Sequence, residues 1–115
     1  MLEELKKSFV EFEMKRGETL FEEQAPHSDG FILVDGKIDL LTKSDYSPNS
    51  KLEVYDTLEP GEVFGVLKCI YGEDTRLYSA KARTNCKLLF IPKGLLMKKL
   101  KSVDPFILFC IRNGR

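Results

Sequence analysis

Short apolar segments separated by turn-forming residues make up most of the chain, from residue 9 to residue 91. The turns are marked by Arg16-Gly17, Asp35-Gly36 and Pro60-Gly61. Short strands about every 8–12 residues, with Gly, Pro or Asp-Gly between them, favour antiparallel strands over alternating β-α units. The pattern therefore predicts a mainly β fold, an antiparallel barrel or double-sheet roll. Its predicted strands cover residues 9–14, 19–22, 31–34, 37–41, 52–58, 78–83 and 87–91.

The pair Asp35-Gly36 is the strongest turn signal in the chain. It lies between the apolar residues 31–34 and the strand-like residues 37–41. Both residues tolerate the positive φ angles that a two-residue type I′ turn requires. The pair therefore predicts a β-hairpin over residues 31–41, which would set the register of the central sheet.

Helical patterns occur only at the two ends of the chain. Leu2 and Leu5 have helical spacing within residues 2–8, and residues 94–101 place three leucines near one face. Asp104-Pro105 resembles an N-cap followed by a proline at the first helical position. The sequence thus predicts one short N-terminal helix and two C-terminal helices. Residues 106–111 are apolar all round, so they must pack either on the roll or on a second copy of the chain.

The composition indicates one domain, residues 1–115, with no long-range electrostatic partner. The 115 residues are 43% hydrophobic, and 18 basic residues balance 18 acidic residues. A neutral chain has no general attraction for nucleic acid or for an anionic membrane. The longest apolar run, residues 106–111, is far shorter than the ~20 residues of a membrane span. These features favour a cytoplasmic protein.

The side chains that support catalysis or metal binding are sparse. His27 is the only histidine and lies in a turn, whereas metal sites in rolls of the cupin type need two or three histidines. The cysteines Cys69, Cys86 and Cys110 are widely spaced and are expected to be reduced and buried. We therefore expect no metal, no resident cofactor and no enzymatic activity. Four carboxylates are expected on solvated outward positions: Glu11, Glu13, Glu22 and Glu23.

One segment combines the groups that hold small anions. Residues 61–72 join a glycine-bracketed turn to one short apolar helical turn, and Arg76 follows shortly afterwards. Backbone N–H groups at the start of a helical turn attract anions, and a guanidinium can pair with two anionic oxygens. The segment predicts an anion site, although Arg76 beside Glu73 and Asp74 could equally be an exposed ion-paired residue. Lys68 is open to the same two interpretations.

The glycine spacing resembles that of cyclic nucleotide-binding domains of the catabolite-activator and protein-kinase-regulatory type. Residues 15–40 look like the opening strands of that family, and residues 58–65, Leu-Glu-Pro-Gly-Glu-Val-Phe-Gly, resemble its Leu-x-x-Gly-x-Phe-Phe-Gly. The spacing of Gly17, Gly36 and Gly65 carries the resemblance, which covers nearly the whole chain. The resemblance implies a jelly-roll-like and cupin-like β-roll with a phosphate-binding cassette.

The cassette itself departs from the family pattern. In the family a glutamate bonds the ribose hydroxyl and an arginine pairs with the cyclic phosphate, but here Val66 replaces the glutamate. Lys68 replaces a small alanine, and Arg76 lies one residue further from Phe64-Gly65 than the arginine of the family pattern. Leu77 and Tyr78 replace a small Thr/Ser-Ala pair. The predicted ligand-binding residues are Phe64, Gly65, Val66, Leu67, Lys68, Arg76, Leu77 and Tyr78.

Two functions follow as expectations. The first is a sensor or regulatory module that binds a small anion, either a phosphate group or a weakly held cyclic nucleotide, through a diverged cassette. The second is a protein-interaction or dimerisation module that has the same fold and no ligand. In the family the helix after the roll forms the dimer, so a homodimer through the C-terminal helix is expected. A helix-turn-helix would need chain beyond Arg115, so no nucleic-acid partner is expected.

Overall fold

The computed structural model describes residues 7, 9–23, 29–43, 51–65, 78–95 and 98. Within these residues the chain forms strands that are joined mostly by tight turns. Their bounds are β1 Val10–Met14, β2 Thr19–Phe21, β3 Gly30–Asp35, β4 Ile38–Lys43, β5 Leu52–Leu58, β6 Val63–Phe64, β7 Ser79–Ala82 and β8 Cys86–Ile91. Lys7 and residues 93–95 and 98 are helical, and the rest of the three predicted helices lies outside the described residues.

The strands form two antiparallel sheets, which confirms the predicted β-roll. Sheet 1 has the order β1-β8-β3-β6, and sheet 2 has the order β2-β7-β4-β5. The chain changes sheet at every connection except the one between β4 and β5. Most connections are therefore corners between the layers of a jelly-roll-like fold.

The predicted hairpin about Asp35-Gly36 is wrong. β3 pairs with β6 and β8, whereas β4 pairs with β5 and β7, so the two strands belong to different sheets. The turn chemistry is present, because Gly36 has φ +93° and its N–H donates to the Asp35 carboxylate at 3.0 Å. The crossing places Leu33 and Ile38, both fully buried, in different layers of one core. A turn signal fixes where the chain reverses but not which sheet receives the next strand.

The core lies between the two sheets. Phe31 and Leu33 of sheet 1 belong to the same buried cluster as Leu40 and Leu58 of sheet 2. Residues between these core positions point to the other face of their strand. On sheet 1 part of that outer face is also apolar and fully buried, formed by Ile32, Val63, Leu89 and Ile91.

Three turns meet at one corner of the roll. The Asn85 side chain accepts a hydrogen bond from the N–H of Arg16 at 2.9 Å, and the hydroxyl of Thr84 accepts one from the N–H of Lys37 at 3.1 Å. The turn at residues 83–85 thus holds both the first turn and the turn at Gly36. Cys86, at the start of β8, is a free buried thiol, as predicted for the cysteines; Cys69 and Cys110 lie outside the described residues.

We predict that Gly36→Ala destabilises the fold much more than Gly17→Ala. Both glycines have φ near +90°, which costs an alanine about 1–2 kcal/mol. At Gly17 an added methyl group would meet nothing within 4 Å, whereas at Gly36 it would collide with the backbone oxygen of Asn85 and lie 2.8 Å from the sulfur of Cys86. Overpacking should add a further ~1–3 kcal/mol at Gly36.

Urea unfolding of both variants and the wild type measures this difference in free energy. Gly17→Ala is the matched control because it changes the same backbone conformation without the collision. An equal loss in the free energy of unfolding for the two variants would contradict the close packing of Gly36 against the turn at residues 83–85.

Candidate functional site

The predicted cassette starts where β6 leaves sheet 1. β6 pairs with β3 through Phe64 opposite Phe31, and the preceding turn is fixed to β3 because the N–H of Gly61 donates to the carbonyl of Leu33 at 2.8 Å. Gly61 has φ +96°, which confirms the predicted turn at Pro60-Gly61. The start of the cassette is therefore held by main-chain hydrogen bonds.

Gly65 is the first residue after β6 and has a conformation that favours glycine. Its φ is +80° and the residue is buried. Residues with a side chain avoid this left-handed region, so the backbone alone requires glycine at this position. A glycine here also lets a bound group approach the main chain closely. Glycine satisfies both the positive φ and the close approach of a bound group, and the positive φ requires glycine whether or not a ligand binds.

Tyr78 follows the cassette and immediately precedes β7 of sheet 2. Its side chain is 7% exposed, and its ring centroid lies 5.7 Å from that of Phe21 and 6.0 Å from that of Tyr55. Tilted ring pairs at these separations are favourable. Tyr78 is thus packed into the roll by rings from two other strands of sheet 2.

Phe21 connects the two ends of the cassette. Its ring centroid lies 6.3 Å from that of Phe64, where the cassette begins, and 5.7 Å from that of Tyr78, where it ends. The ring of Phe31 lies 6.1 Å from Phe21 and 5.5 Å from Phe64. One aromatic cluster therefore holds both ends of the segment, although they belong to different sheets.

The structure brings together three of the predicted site residues. Phe64, fully buried, and Tyr78 pack in the aromatic cluster, and Gly65 is next to Phe64. Their contact with a ligand stays a prediction. Five predicted site residues lie outside the described residues: Val66, Leu67, Lys68, Arg76 and Leu77.

Ser79 is a buried polar residue at the cassette's end that the sequence reasoning missed. It is 5% exposed, and its hydroxyl accepts a hydrogen bond from the N–H of Glu23 at 2.8 Å. The carboxylate of Glu23 in turn accepts a bond from the N–H of Lys43 at 3.2 Å. Glu23 is half-buried, which corrects its prediction as a solvated residue, whereas Glu11, Glu13 and Glu22 are exposed as predicted. A serine at the start of a strand gave no signal of this bond to a residue 56 positions earlier in the chain.

Two cavities border the described residues, and neither is lined by Phe64, Gly65 or Tyr78. One of about 510 Å³ lies at the corner of the turns and is lined by Glu13, Met14, Lys15, Glu18, Asp35, Asn85, Cys86 and Lys87. One of about 280 Å³ is lined by Thr19, Glu22, Glu23, Leu41, Lys43, Leu52, Ser79 and Lys81. Within the described part of the chain, no cluster of histidine, cysteine or carboxylate side chains could hold a metal ion, and no helix is long and apolar enough to cross a membrane.

Several solved structures share this fold. The N-terminal domain of a transcriptional regulator from Streptomyces coelicolor A3(2) is 27% identical; the match covers 97% of this chain and 77% of that one, with a TM-score of 0.73. A transcriptional regulator from Thermotoga maritima is 22% identical, with 97% and 84% covered and a TM-score of 0.80. The c-di-GMP-responsive global regulator CLP of Xanthomonas campestris is 20% identical, with 96% and 54% covered and a TM-score of 0.79. This chain thus spans about half of the Xanthomonas protein.

No curated protein matches the chain. The family model for the cyclic nucleotide-binding domain matches residues 11–102, well over half of the sequence. This match confirms the resemblance seen in the spacing of the glycines. The chain belongs to the cyclic nucleotide-binding domain family.

Proposed function

We propose that the chain is a non-enzymatic regulatory module that binds a small anion through residues 64–78. The observation that carries this proposal is the backbone at Gly65, buried with φ +80° directly after β6. The main chain at this position is held by β3 and by the aromatic cluster, so it does not need a ligand to form. A preformed backbone loses less conformational entropy when an anion binds.

The charges of the segment determine the class of ligand. Lys68 and Arg76 supply two cations, Glu73 and Asp74 lie beside Arg76 in the sequence, and Val66 supplies no acceptor for a ribose hydroxyl. Losing one charge-assisted hydrogen bond costs about 1.5–3 kcal/mol, which is roughly 10- to 150-fold in affinity. The ligand is therefore a phosphate, a sulfate or a phosphorylated metabolite, and a cyclic nucleotide binds weakly.

The relatives support a regulatory role and leave the ligand to experiment. The Xanthomonas relative is described as responsive to c-di-GMP, a phosphate-bearing molecule. At 20% identity this likeness supports the fold alone. We place the chain in the cytoplasm on its sequence features, and we expect no nucleic-acid contact by this domain.

A ligand-free interaction module is the second candidate, and the aromatic cluster favours it. Phe64 and Tyr78, which would face a ligand, are buried, and both pack against the ring of Phe21. Homodimerisation through residues 106–111 would serve either function. That segment lies outside the described residues, so the dimer stays a prediction.

We predict that Arg76→Ala weakens phosphate binding more than Lys68→Ala does. A planar guanidinium can pair with two oxygens at once, whereas an ammonium acts as a single point charge. Titration calorimetry with inorganic phosphate, in a buffer free of other anions that bind, compares the two variants with the wild type. No heat for the wild type with phosphate, cyclic AMP or cyclic GMP would favour the interaction module.

We predict that Val66→Glu raises the affinity for cyclic AMP and cyclic GMP by roughly tenfold or more, because it restores a charged acceptor for the ribose hydroxyl. Val66→Gln is the matched control, since the glutamine side chain has the length of glutamate but carries no charge. The same calorimetric titration measures both variants. An unchanged cyclic nucleotide affinity in Val66→Glu, with phosphate binding intact, would show that the pocket cannot hold the sugar.

We predict that Phe21→Leu loosens the ends of the cassette and that Phe12→Leu does not. Phe21 contacts both Phe64 and Tyr78, whereas Phe12 forms an edge-to-face pair with Phe31 at 6.1 Å. Each lost ring pair should cost about 0.5–1.5 kcal/mol of stability, so Phe21→Leu, which loses its pairs with Phe31, Phe64 and Tyr78, should be the less stable variant. Hydrogen exchange of peptides containing Gly65 and Tyr78 should rise only in Phe21→Leu.

Equal exchange in the two variants would show that Phe21 contributes general packing alone. Both phenylalanines are partly buried and border the same core, so the comparison holds the change in volume constant.

A further inference from the structure

β5 is an edge strand of sheet 2 and carries most of the exposed large apolar side chains of the described residues. Leu52, Val54 and Tyr55 are 48–53% exposed, and among the other described residues only Val10, at 70%, is a large apolar side chain of this kind. β5 pairs with β4 along one edge, and no strand within the described part of the chain pairs with its other edge. Unprotected edges of this kind form hydrogen bonds with further strands.

Two features oppose the addition of a strand at residues 55–57 of this edge, and neither of them affects residues 51–54. The register between β4 and β5 shifts at Tyr55, and the N–H of Thr57 donates to the carboxylate of Asp56 at 2.8 Å. A bulge and a side chain that occupies a backbone donor both oppose the addition of a strand. The edge that remains suited to pairing is therefore residues 51–54.

The side chains of residues 51–54 divide by face. Lys51 and Glu53 are exposed on one face, and neither forms an ion pair with any described residue. By contrast Asp39, on the neighbouring strand β4 of the same sheet, is paired with Arg83 at 2.9 Å. Leu52 and Val54 lie on the other face. The open edge thus presents two unmatched opposite charges and two apolar side chains.

We propose that residues 51–53 of β5 pair antiparallel with the same residues of a second copy, about a two-fold axis at Leu52. In this register Lys51 lies opposite Glu53 of the second copy, and Glu53 lies opposite its Lys51. Residues directly opposite in an antiparallel pair share a face, so both ion pairs form on one side of the joined sheets. The two Leu52 side chains meet on the other side, with a Val54 near each.

The neighbouring two-fold registers are less favourable. An axis at Glu53 places two carboxylates directly opposite each other, and an axis at Lys51 places two ammonium groups directly opposite each other; both arrangements are destabilising. An axis at Val54 places Leu52 opposite Asp56 and carries the pairing across the bulge at Tyr55. Charge complementarity therefore selects the register about Leu52, and it identifies the occupant of the edge as another copy of this chain. The proposed pairing uses no residue of the predicted cassette and none of residues 106–111.

Disulfide trapping in the full chain tests the proposal. Opposite residues in an antiparallel pair have Cα atoms about 4.5–5.5 Å apart, within the range of a disulfide. Leu52→Cys should form a link between the introduced thiols of two copies under mild oxidation, identified by peptide mass mapping because native cysteines are present. Val10→Cys, also exposed on an edge strand, is the control for random collision. The link in Leu52→Cys should form about tenfold faster than the link in Val10→Cys.

Charge reversal then tests the register. In the Leu52→Cys background, Lys51→Glu or Glu53→Lys places like charges opposite each other and should slow the link about tenfold. Combining both reversals restores complementary pairs and should recover the original rate. Equal trapping of Leu52→Cys and Val10→Cys, or a combined reversal no faster than the single ones, would overturn the proposal. Lys51 and Glu53 are exposed, so these changes leave the core intact.

Discussion

The close contact between Gly36 and the turn at residues 83–85 fixes how the two sheets meet. The chain leaves sheet 1 after Asp35, and at the same corner it returns to sheet 1 after Ala82. The carbonyl of Lys37 accepts bonds from the N–H of Arg83 at 3.0 Å and from the thiol of Cys86 at 3.2 Å. Because both crossings share these bonds, the order of strands in each sheet depends on this corner.

The positions of the strands can be read from the sequence, but their partners cannot. The sequence predicts a strand over residues 52–58, and β5 has the same bounds, because alternation and turn residues are local properties. The hairpin predicted at Asp35-Gly36 is wrong because β3 pairs with β8, more than fifty residues later in the chain. Pairing in a roll is decided by burial of both sheets against one core, and a short window of sequence contains no record of it.

In the candidate site too, the local features can be read from the sequence and the long-range contacts cannot. The need for glycine at position 65 is a backbone requirement, so the glycine spacing locates it. Phe21, which joins Phe64 to Tyr78, acts across the two sheets, and the bond from Glu23 to Ser79 spans 56 residues. These contacts depend on packing that no motif encodes. The motif selects Phe64 and Tyr78 by their places in the sequence, and their described neighbours are other rings.

The two ends of the cassette differ in how they are paired within the sheets, and this difference bears on which end would move when a ligand binds. Among the described residues, β7 is paired on both sides, by β2 and β4, whereas β6 is paired with β3 through Val63 and Phe64. A ligand changes a conformation only if it binds one arrangement better than another. β6 spans two residues and β7 spans four, so we expect the backbone at the β6 end to respond more readily to a ligand than the backbone at the β7 end. Through Phe64 any shift there would act on Phe31 in sheet 1 and on Phe21 in sheet 2, and would therefore change the packing of both layers.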